Sequence, residues 1–166
     1  MVQPVYARGV SGGLSGNDVA VEGARAQDLP ALTALATRFF EEEGFGLPSE
    51  GLDPRVHRYL DMDGHAIFVA RRGDRVIAFA TAATGYGLEY GWAAELEDLY
   101  VVPEERRRGI ARALVERVAA WAADLGCSVV LVTVTPEGEQ SHSLTAFYAR
   151  LRFENLGRRL LERPLA

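Results

Sequence analysis

Three consecutive arginines, Arg106 to Arg108, stand directly before Gly109 and a long amphipathic pattern. The residues before them, Glu95 to Val102, are rich in β-forming types and end at Pro103. A helix that begins just after a strand presents backbone N–H groups that have no partner within the helix, with the positive end of the helix dipole behind them. Such a cluster of donors suits a pyrophosphate, and the arginines add positive charge around it. The sequence therefore predicts a cofactor-binding turn.

The spacing of the turn excludes two common nucleotide-binding motifs. A Walker loop requires G-x-x-x-x-G-K-[ST], which does not occur in the sequence. A dinucleotide-binding fingerprint requires G-x-G-x-x-G, whereas Gly109 is the only glycine in this turn. The pattern that is present reads Arg106-x-x-Gly109-x-Ala111. A charged turn that holds no ligand is the alternative interpretation.

Composition and length limit the kind of protein that can carry this turn. A chain of 166 residues with 48% hydrophobic residues fits one folded domain, which we expect over residues 18–166, after a Gly- and Ser-rich flexible tail over 1–17. No apolar run approaches the roughly 20 residues that span a bilayer, and no secretion signal is evident. The single cysteine, Cys127, fits the reducing cytoplasm. A net charge of −5 makes nonspecific nucleic-acid binding unfavourable.

The hydrophobic pattern predicts a strand, two helices and two further strands before the cofactor strand and its helix. The helix after Gly109 should stop at Gly126, followed by a strand over Cys127 to Thr135 that is buried on both faces. A helix over Ser141 to Leu151 and a terminal strand pair over Phe153 to Arg163 should follow. The earlier elements are expected at Val19–Gly23, from Asp28 (as N-cap) to Gly44, from Asp53-Pro54, at His65–Arg71 and at Arg75–Thr84.

The turn and its flanks resemble the acyl-CoA pyrophosphate loop of the GNAT N-acetyltransferase superfamily. The strand before the turn reads L-x-x-L-x-V-x-P, the turn matches Arg/Gln-x-x-Gly-x-Gly/Ala, and the predicted element order agrees over about residues 19–163. The resemblance implies an α/β (α+β) fold, with a central mixed, largely antiparallel sheet splayed at the cofactor strand and helices on both faces. It also implies acetyl-CoA as cofactor, and members of the family often form homodimers.

The resemblance assigns residues to the cofactor. The pyrophosphate falls to Arg106, Arg107, Arg108, Gly109, Ile110 and Ala111. The backbone of Leu99, Tyr100 and Val101 is expected to pair with the pantetheine amides, and one N–H group to polarise the thioester carbonyl, the usual device for acyl transfer.

A second family motif, N-x-x-A-x-x-[LF]-Y-x-x-x-G-F, aligns on Tyr148. Ser141 stands at the asparagine position and is the expected cofactor contact there, while Leu144 and Arg152 replace the alanine and the glycine. By resemblance, the hydroxyl of Tyr148 protonates the departing thiolate. A tyrosine that only packs the helix on the sheet is the alternative.

Three acidic residues in the cofactor strand are candidates for work on the acceptor amine, which must lose a proton before it attacks. With a period of two, Glu95 and Glu97 share one face and Asp98 takes the other, unless a bulge intervenes. The run Leu96-Glu97-Asp98-Leu99-Tyr100-Val101 is similar to a strand of diamine and some aminoglycoside acetyltransferases that carries a glutamate base. Glu97 is thus the expected base or amine anchor, with Glu95 and Asp98 as runners-up; exposed strand-end acids are the alternative.

Acids interleaved with aromatics favour a cationic acceptor, through ion pairs and cation–π contacts. Glu43, Trp92, Glu95 and Asp98 are the expected substrate contacts. We therefore expect acetylation of a small cationic amine, with aminoglycosides (and antibiotic resistance) as the leading example. Protein or peptide N-acetylation and a non-catalytic acyl-CoA-binding module are the alternatives. No metal is required, because the three histidines, His57, His65 and His142, show no ligand spacing.

Overall fold

The computed structural model describes residues 19–48 and 50–165, so the tail expected over 1–17 lies outside the described residues. The chain divides between Val132 and Thr133 into two compact units, and the single domain expected from the sequence stays a prediction. The first unit contains five strands, β1 (Val19–Gly23), β2 (His65–Arg72), β3 (Arg75–Gly87), β4 (Gly91–Val101) and β5 (Val129–Val132), and the helices α1 (Leu29–Glu43), α2 (Asp53–Asp61) and α3 (Ile110–Asp124).

The strands form one mixed sheet in the order β1-β2-β3-β4-β5. Neighbouring strands are antiparallel except β4 and β5, which are parallel and are connected through α3. Helix α1 packs Phe39 against Phe79 of β3, with ring centroids 6.2 Å apart, whereas α3 packs Trp121 against Phe68 of β2 at 6.1 Å. Phe68 pairs with Ala80, the neighbour of Phe79, so these contacts lie on opposite faces of the sheet. The predicted mixed sheet with helices on both faces is confirmed.

Helix α1 begins and ends where the sequence predicts, but one expected contact differs. Gly44 ends the helix with a left-handed φ of 74°, a conformation that glycine adopts without steric cost. Asp28 occupies the N-cap position, yet its side chain makes no capping hydrogen bond to the helix. Its carboxylate accepts a hydrogen bond from the backbone N–H of Arg25 at 2.9 Å and pairs with the guanidinium of Arg71 at 2.5 Å. Asp28 therefore joins α1 to β2 and does not cap the helix.

Helix α3 follows the cofactor turn and packs on the sheet through one stripe of side chains. Its buried residues recur at intervals of four, as Ile110, Leu114, Val118 and Ala122. The helix ends at Asp124, two residues before the predicted stop at Gly126. The stripe fixes the rotation of α3 and thereby the direction of its first turn.

A β-bulge interrupts the pairing of β3 with β4 at Glu97. Thr81 pairs with Asp98 and Ala82 pairs with Leu96, so Glu97 is an extra residue without a partner on β3. This is the exception that the period-two prediction allowed for: Asp98 does not lie on the opposite face from Glu97.

Strands β4 and β5 pair only over a short parallel segment. Their pairing covers Ala93 to Leu96 on β4 and ends at the pair of Leu96 with Val132, whereas β4 continues to Val101. Strand β4 thus continues beyond the last residue of β5, at the place where the sequence predicts the splay. The predicted burial of β5 on both faces is wrong, since the strand spans only Val129–Val132 and all four residues are half-buried. A strand of four residues at the edge of the sheet has few neighbouring side chains to bury it.

The second unit, from Thr133, contains two short helices, α4 (Pro136–His142) and α5 (Leu144–Arg150). The single helix predicted over Ser141 to Leu151 is wrong, because Ser143 takes a left-handed φ of 51° that no continuous helix accommodates. The strand pair predicted over Phe153 to Arg163 is also wrong: residues 153–165 form no strand. Asn155 and Gly157 make a local turn, with the backbone N–H of Gly157 donating to Asn155 Oδ1 at 2.9 Å, and the leucines beyond it are exposed.

Candidate active site

The turn between β4 and α3 leaves open space in front of the helix N-terminus. Residues Pro103–Glu105 form a short 3₁₀ turn, and Gly109 precedes α3 with a left-handed φ of 79°. A Cβ atom built on Gly109 meets no described atom within 4 Å. The first N–H groups of α3 have no acceptor within the helix, and a ligand can approach the backbone here without meeting a side chain. This geometry fits a pyrophosphate.

The three arginines of the turn do different work. The guanidinium of Arg106 points back to the sheet, where Nε donates to the carbonyl of Val101 at 2.9 Å and Nη2 pairs with Glu42 at 2.5 Å. It also lies 5.6 Å from the ring centroid of Tyr100. Arg106 thereby fixes the turn against β4 and α1. The other two positive charges of the turn are Arg107, which has a left-handed φ of 63°, and Arg108.

Glu105 ties the turn to β2. Arg72 donates to both carboxylate oxygens of Glu105, at 3.1 and 2.9 Å, and Arg108 lies 3.5 Å from Glu105 Oε2. The hydrogen bonds from Arg72 hold the pKa of Glu105 below its ordinary value. The charge of Arg108 is shared with this carboxylate, whereas Arg107 makes no ion pair within residues 19–48 and 50–165.

The N–H and C=O groups of alternate residues in β4 point away from β3, towards the edge at the splay. The N–H of Val102 donates to Ile77 of β3 at 3.1 Å, so the peptide groups of Tyr100 point the same way and those of Leu99 and Val101 point to the other edge. Strand β5 pairs with that edge no further than Leu96. The backbone groups of Leu99 and the N–H of Val101 therefore lie where an extended ligand can add to the sheet edge, while the Val101 carbonyl already accepts a hydrogen bond from Arg106.

The bulge brings Glu97 and Asp98 to the sheet face covered by α1 and α2. The hydroxyl of Tyr59 in α2 donates to Glu97 Oε2 at 2.5 Å, and the hydroxyl of Thr81 donates to Asp98 Oδ2 at 2.6 Å. Glu95 pairs with Ala83, two residues from Thr81 on β3, and so faces the same side. Glu97 is exposed and Asp98 is half-buried. The structure thus brings all three candidate acids of β4 to one face.

The surroundings of these acids raise the pKa values of Asp98 and Tyr59. Burial raises the pKa of Asp98, and the charge of Glu97 raises it further, against the hydrogen bond from Thr81. Burial also raises the pKa of Tyr59, with the hydrogen bond to Glu97 as the next cause. Tyr59 therefore keeps its proton and donates to Glu97, while Asp98 is a better proton acceptor than an exposed aspartate.

The other expected substrate contacts are dispersed. Trp92 pairs with Tyr86 and packs against its ring with centroids 5.4 Å apart. Because side chains alternate along β4, Trp92 points to the opposite face from Glu95. Glu43 is the last residue of α1, and its neighbour Glu42 is engaged by Arg106. The structure brings Glu95 and Asp98 together with Glu97 and does not bring Trp92 to them.

Tyr148 is the buried residue of α5, in the second unit. Ser141, the other expected residue of this unit, lies on α4 and is exposed. The ring of Tyr148 packs between Phe147 and Phe153, with centroids 5.0 and 5.2 Å away. Burial raises the pKa of Tyr148 to about 12, so its hydroxyl stays protonated at neutral pH. It can donate a proton or a hydrogen bond.

Two residues that the sequence analysis did not select, Tyr59 and Thr81, hold the acids in place. Tyr59 lies with Val56 and Leu60 on a predicted helix face, where a tyrosine is ordinary packing material. Its partner Glu97 is 38 positions away, and a single sequence carries no signal for that contact.

The described residues hold no group of three or more His, Cys, Asp or Glu side chains that could bind a metal ion. Burial raises the pKa of the Cys127 thiol, which disfavours the reactive thiolate. Within the same residues, no helix is both long and apolar enough to cross a membrane.

Comparison with known proteins gives consistent results. The model of the acetyltransferase (GNAT) family matches residues 29–153. An uncharacterized N-acetyltransferase of Mycobacterium tuberculosis is 31% identical over 105 residues, 63% of each chain. An aminoglycoside N(6')-acetyltransferase type 1 of Salmonella typhimurium is 29% identical over 51% of this chain and 61% of its own. The chain thus spans under two thirds of these relatives.

A solved structure, aminoglycoside N-acetyltransferase AAC(6')-Iy in complex with CoA, shares the fold. It superposes with a TM-score of 0.78 at 23% identity, over 91% of this chain and 97% of that one. The family match covers most of the chain and includes β4, the turn and α3. The chain belongs to the acetyltransferase (GNAT) family.

Proposed function

We propose that this protein transfers an acetyl group from acetyl-CoA to the primary amine of a small cationic acceptor, by direct attack within a ternary complex. One observation carries the proposal: the bulge places Glu97 and Asp98 on one face of β4, directly before the strand segment whose edge is open at the splay. A proton acceptor thereby lies within a few residues of the site for an acyl group. Family membership supports the same reaction.

The residues present fit coenzyme A at two places. The N–H groups at the start of α3, the open approach to Gly109 and the charge of Arg107 and Arg108 suit the pyrophosphate. The edge groups of Leu99 and Val101 suit the pantetheine amides, and an N–H in this row can stabilise negative charge that develops on the thioester oxygen. When bound, acetyl-CoA supplies the activated acyl thioester.

Proton transfers accompany the proposed reaction. Glu97 accepts a proton from the acceptor ammonium or anchors it, and Asp98, with its raised pKa, is the neighbouring acceptor. A C–N bond then forms as the C–S bond breaks, and the sulfur leaves with the bonding electron pair. By the family resemblance, Tyr148, which is protonated at neutral pH, is the proposed donor to that sulfur. The ammonium gives up one proton before the attack, and the nitrogen loses a second as the amide forms. The sulfur gains one proton, and the other is released to water.

Aminoglycosides are acceptors to test because relatives carry that activity in their names, at 29% identity over about half of this chain. The acids at Glu95, Glu97 and Asp98 suit any small cation. The homodimer, the cytoplasmic location and a role in antibiotic resistance stay predictions.

We expect Gly109→Val to weaken CoA binding by at least about tenfold. Valine is strained at a φ of 79° and its branched side chain fills the space that the pyrophosphate needs. Calorimetric titration with CoA measures the effect, and Gly73→Val, at a φ of 57° in the β2–β3 hairpin, controls for backbone strain alone. CoA affinity that is equal in Gly109→Val and wild type would remove the turn from the site.

The proposed reaction is tested by thiol release from acetyl-CoA with a panel of amines, aminoglycosides and peptides. We expect Glu97→Gln to lower kcat/KM for a cationic amine at least about tenfold, or about 1.4 kcal/mol, because shape is kept while charge and basicity are lost. The loss should shrink as the pH approaches the pKa of the amine, since free amine then needs no base. If Glu97 only bound the cation, the loss would not shrink as the pH rises.

The matched control for Glu97→Gln is Glu116→Gln, an exposed acid on α3 that pairs loosely with Arg112 at 4.0 Å. Activity of Glu97→Gln equal to that of the control on every acceptor would shift the role to Glu95, Asp98 or a water relay. Absence of thiol release with every amine would contradict the proposed function itself.

A further inference from the structure

A cavity of about 180 Å³ lies between α1, α2 and the sheet, beside the acids of β4. Most of its wall is carbon, and the apolar side chains that form it include Leu32, Phe40, Leu52, Val56, Ile67 and Phe79. Leu32, Leu52, Ile67 and Phe79 are buried, whereas Arg55 at the rim is exposed, so the cavity leads inward from solvent. No side chain with a proposed catalytic role occupies the space inside the cavity, although Asp98 forms part of its wall.

The size of the cavity suits one compact apolar group. An engineered cavity of about 150 Å³ lined by Leu, Ile and Phe stays dry and binds benzene. At about 180 Å³, this cavity has room for a phenyl ring or a branched alkyl chain. A sugar ring placed here would lose the hydrogen bonds of its hydroxyl groups to water and find few partners on the wall, which is unfavourable.

The charge at one end of the cavity determines which kind of molecule can place an apolar group in it. Asp98 and Thr81 line the cavity together with Tyr59, whose hydroxyl holds Glu97. Two carboxylates at this end repel the phosphates and the thioester oxygen of an acyl-CoA and attract an ammonium group. The cavity is therefore complementary to a molecule with a cation at one end and a compact hydrocarbon at the other.

We infer that the acceptor is a primary amine that carries one compact apolar group, which lies in this cavity while the amine nitrogen lies at Glu97 and Asp98. The inference rests on the proposed function for its chemistry, since it names the class of amine that the same reaction uses. It also predicts binding that is independent of turnover.

The first test compares kcat/KM for 2-phenylethylamine, ethylamine and kanamycin in the wild-type protein. We expect 2-phenylethylamine to exceed ethylamine at least tenfold, because the ring leaves water for the apolar wall, and to exceed kanamycin as well. A preference for kanamycin, or equal values for the two simple amines, would overturn the inference while leaving acetyl transfer intact.

The second test fills the cavity. Ala36 on α1 lines it and is 7% exposed, so Ala36→Phe should lower kcat/KM for 2-phenylethylamine at least tenfold and leave that for ethylamine within about twofold. Ala34→Phe places the same ring on the exposed side of α1 and serves as the control. Val56→Phe, at a half-buried wall position on α2, repeats the test should Ala36→Phe not fold. Equal losses for both amines in a folded variant would contradict a cavity for the apolar group.

Calorimetry without acetyl-CoA separates the two proposals. Binding of 2-phenylethylamine that is lost in the cavity-filling variant supports the cavity even if no amine is acetylated, in which case only the proposed function fails. Turnover without any effect of the filling substitutions leaves the proposed function standing and removes the cavity from the acceptor site.

Discussion

Replacing Tyr148 by Phe should lower kcat for acetyl transfer by about 10²- to 10⁴-fold, the usual range for the loss of a proton-transfer group. The substitution keeps the ring that packs against Phe147 and Phe153 and removes only the hydroxyl. Burial raises the pKa of that hydroxyl to about 12, so its proton is retained throughout the neutral range and is available to the departing sulfur. CoA affinity should stay nearly unchanged, because the proposed pyrophosphate site is the α3 turn.

The measurement is steady-state thiol release together with calorimetric CoA titration, and the control is Tyr86→Phe at the exposed end of the β3–β4 hairpin. Comparable kcat for wild type and Tyr148→Phe would leave Tyr148 as a packing residue. A parallel loss of CoA affinity would instead assign the hydroxyl to cofactor binding.

Asp28→Ala should destabilise the fold by about 3 kcal/mol, the lower end of the range for removing one partner of a buried ion pair. Asp28 is 3% exposed and pairs with Arg71, whose side chain is 14% exposed, so the substitution leaves a guanidinium largely out of water with Glu22, at 2.7 Å, as its remaining acid. The backbone N–H of Arg25 also loses its acceptor. Thermal unfolding should show a midpoint lower by roughly 6 to 12 °C for a chain of this size.

Glu104→Ala is the matched control for Asp28→Ala, since Glu104 pairs with Arg75 at a similar 2.7 Å but both side chains are at least half exposed. Water solvates either partner when the other is removed, so the unfolding midpoint should barely move. Equal shifts for the two variants would show that burial does not decide the strength of the Asp28 pair.

The turn between β4 and α3 and most elements of the first unit could be predicted because their signals are local. Gly44 and Gly109 adopt the left-handed backbone that glycine accommodates, and the stripe from Ile110 to Ala122 repeats with the helical period. Strands that are consecutive in the chain also lie side by side in the sheet, which is the usual arrangement. Each of these features is determined by residues a few positions apart.

The features that sequence reasoning missed depend on distant partners. The sequence of β4 allows a bulge but does not locate it. The extra residue is defined only by the pairing with Thr81 and Ala82 of β3. The contact of Arg106 with Glu42 on α1 likewise joins residues that are far apart in the sequence. The leucines after Phe153 resemble part of a strand pair, yet a strand forms only where another strand offers an edge.

The bulge also determines how the chain tolerates insertions and deletions. Without Glu97, Leu96 and Asp98 would pair with the same β3 residues, Ala82 and Thr81, in a regular ladder. Removing this one residue would leave the orientation of every other β4 side chain unchanged, whereas removing a residue from a regular stretch reverses all those beyond it. The acid most directly proposed for proton transfer is thus the one that an ancestor could have gained, and a descendant could lose, in a single codon without refolding the sheet.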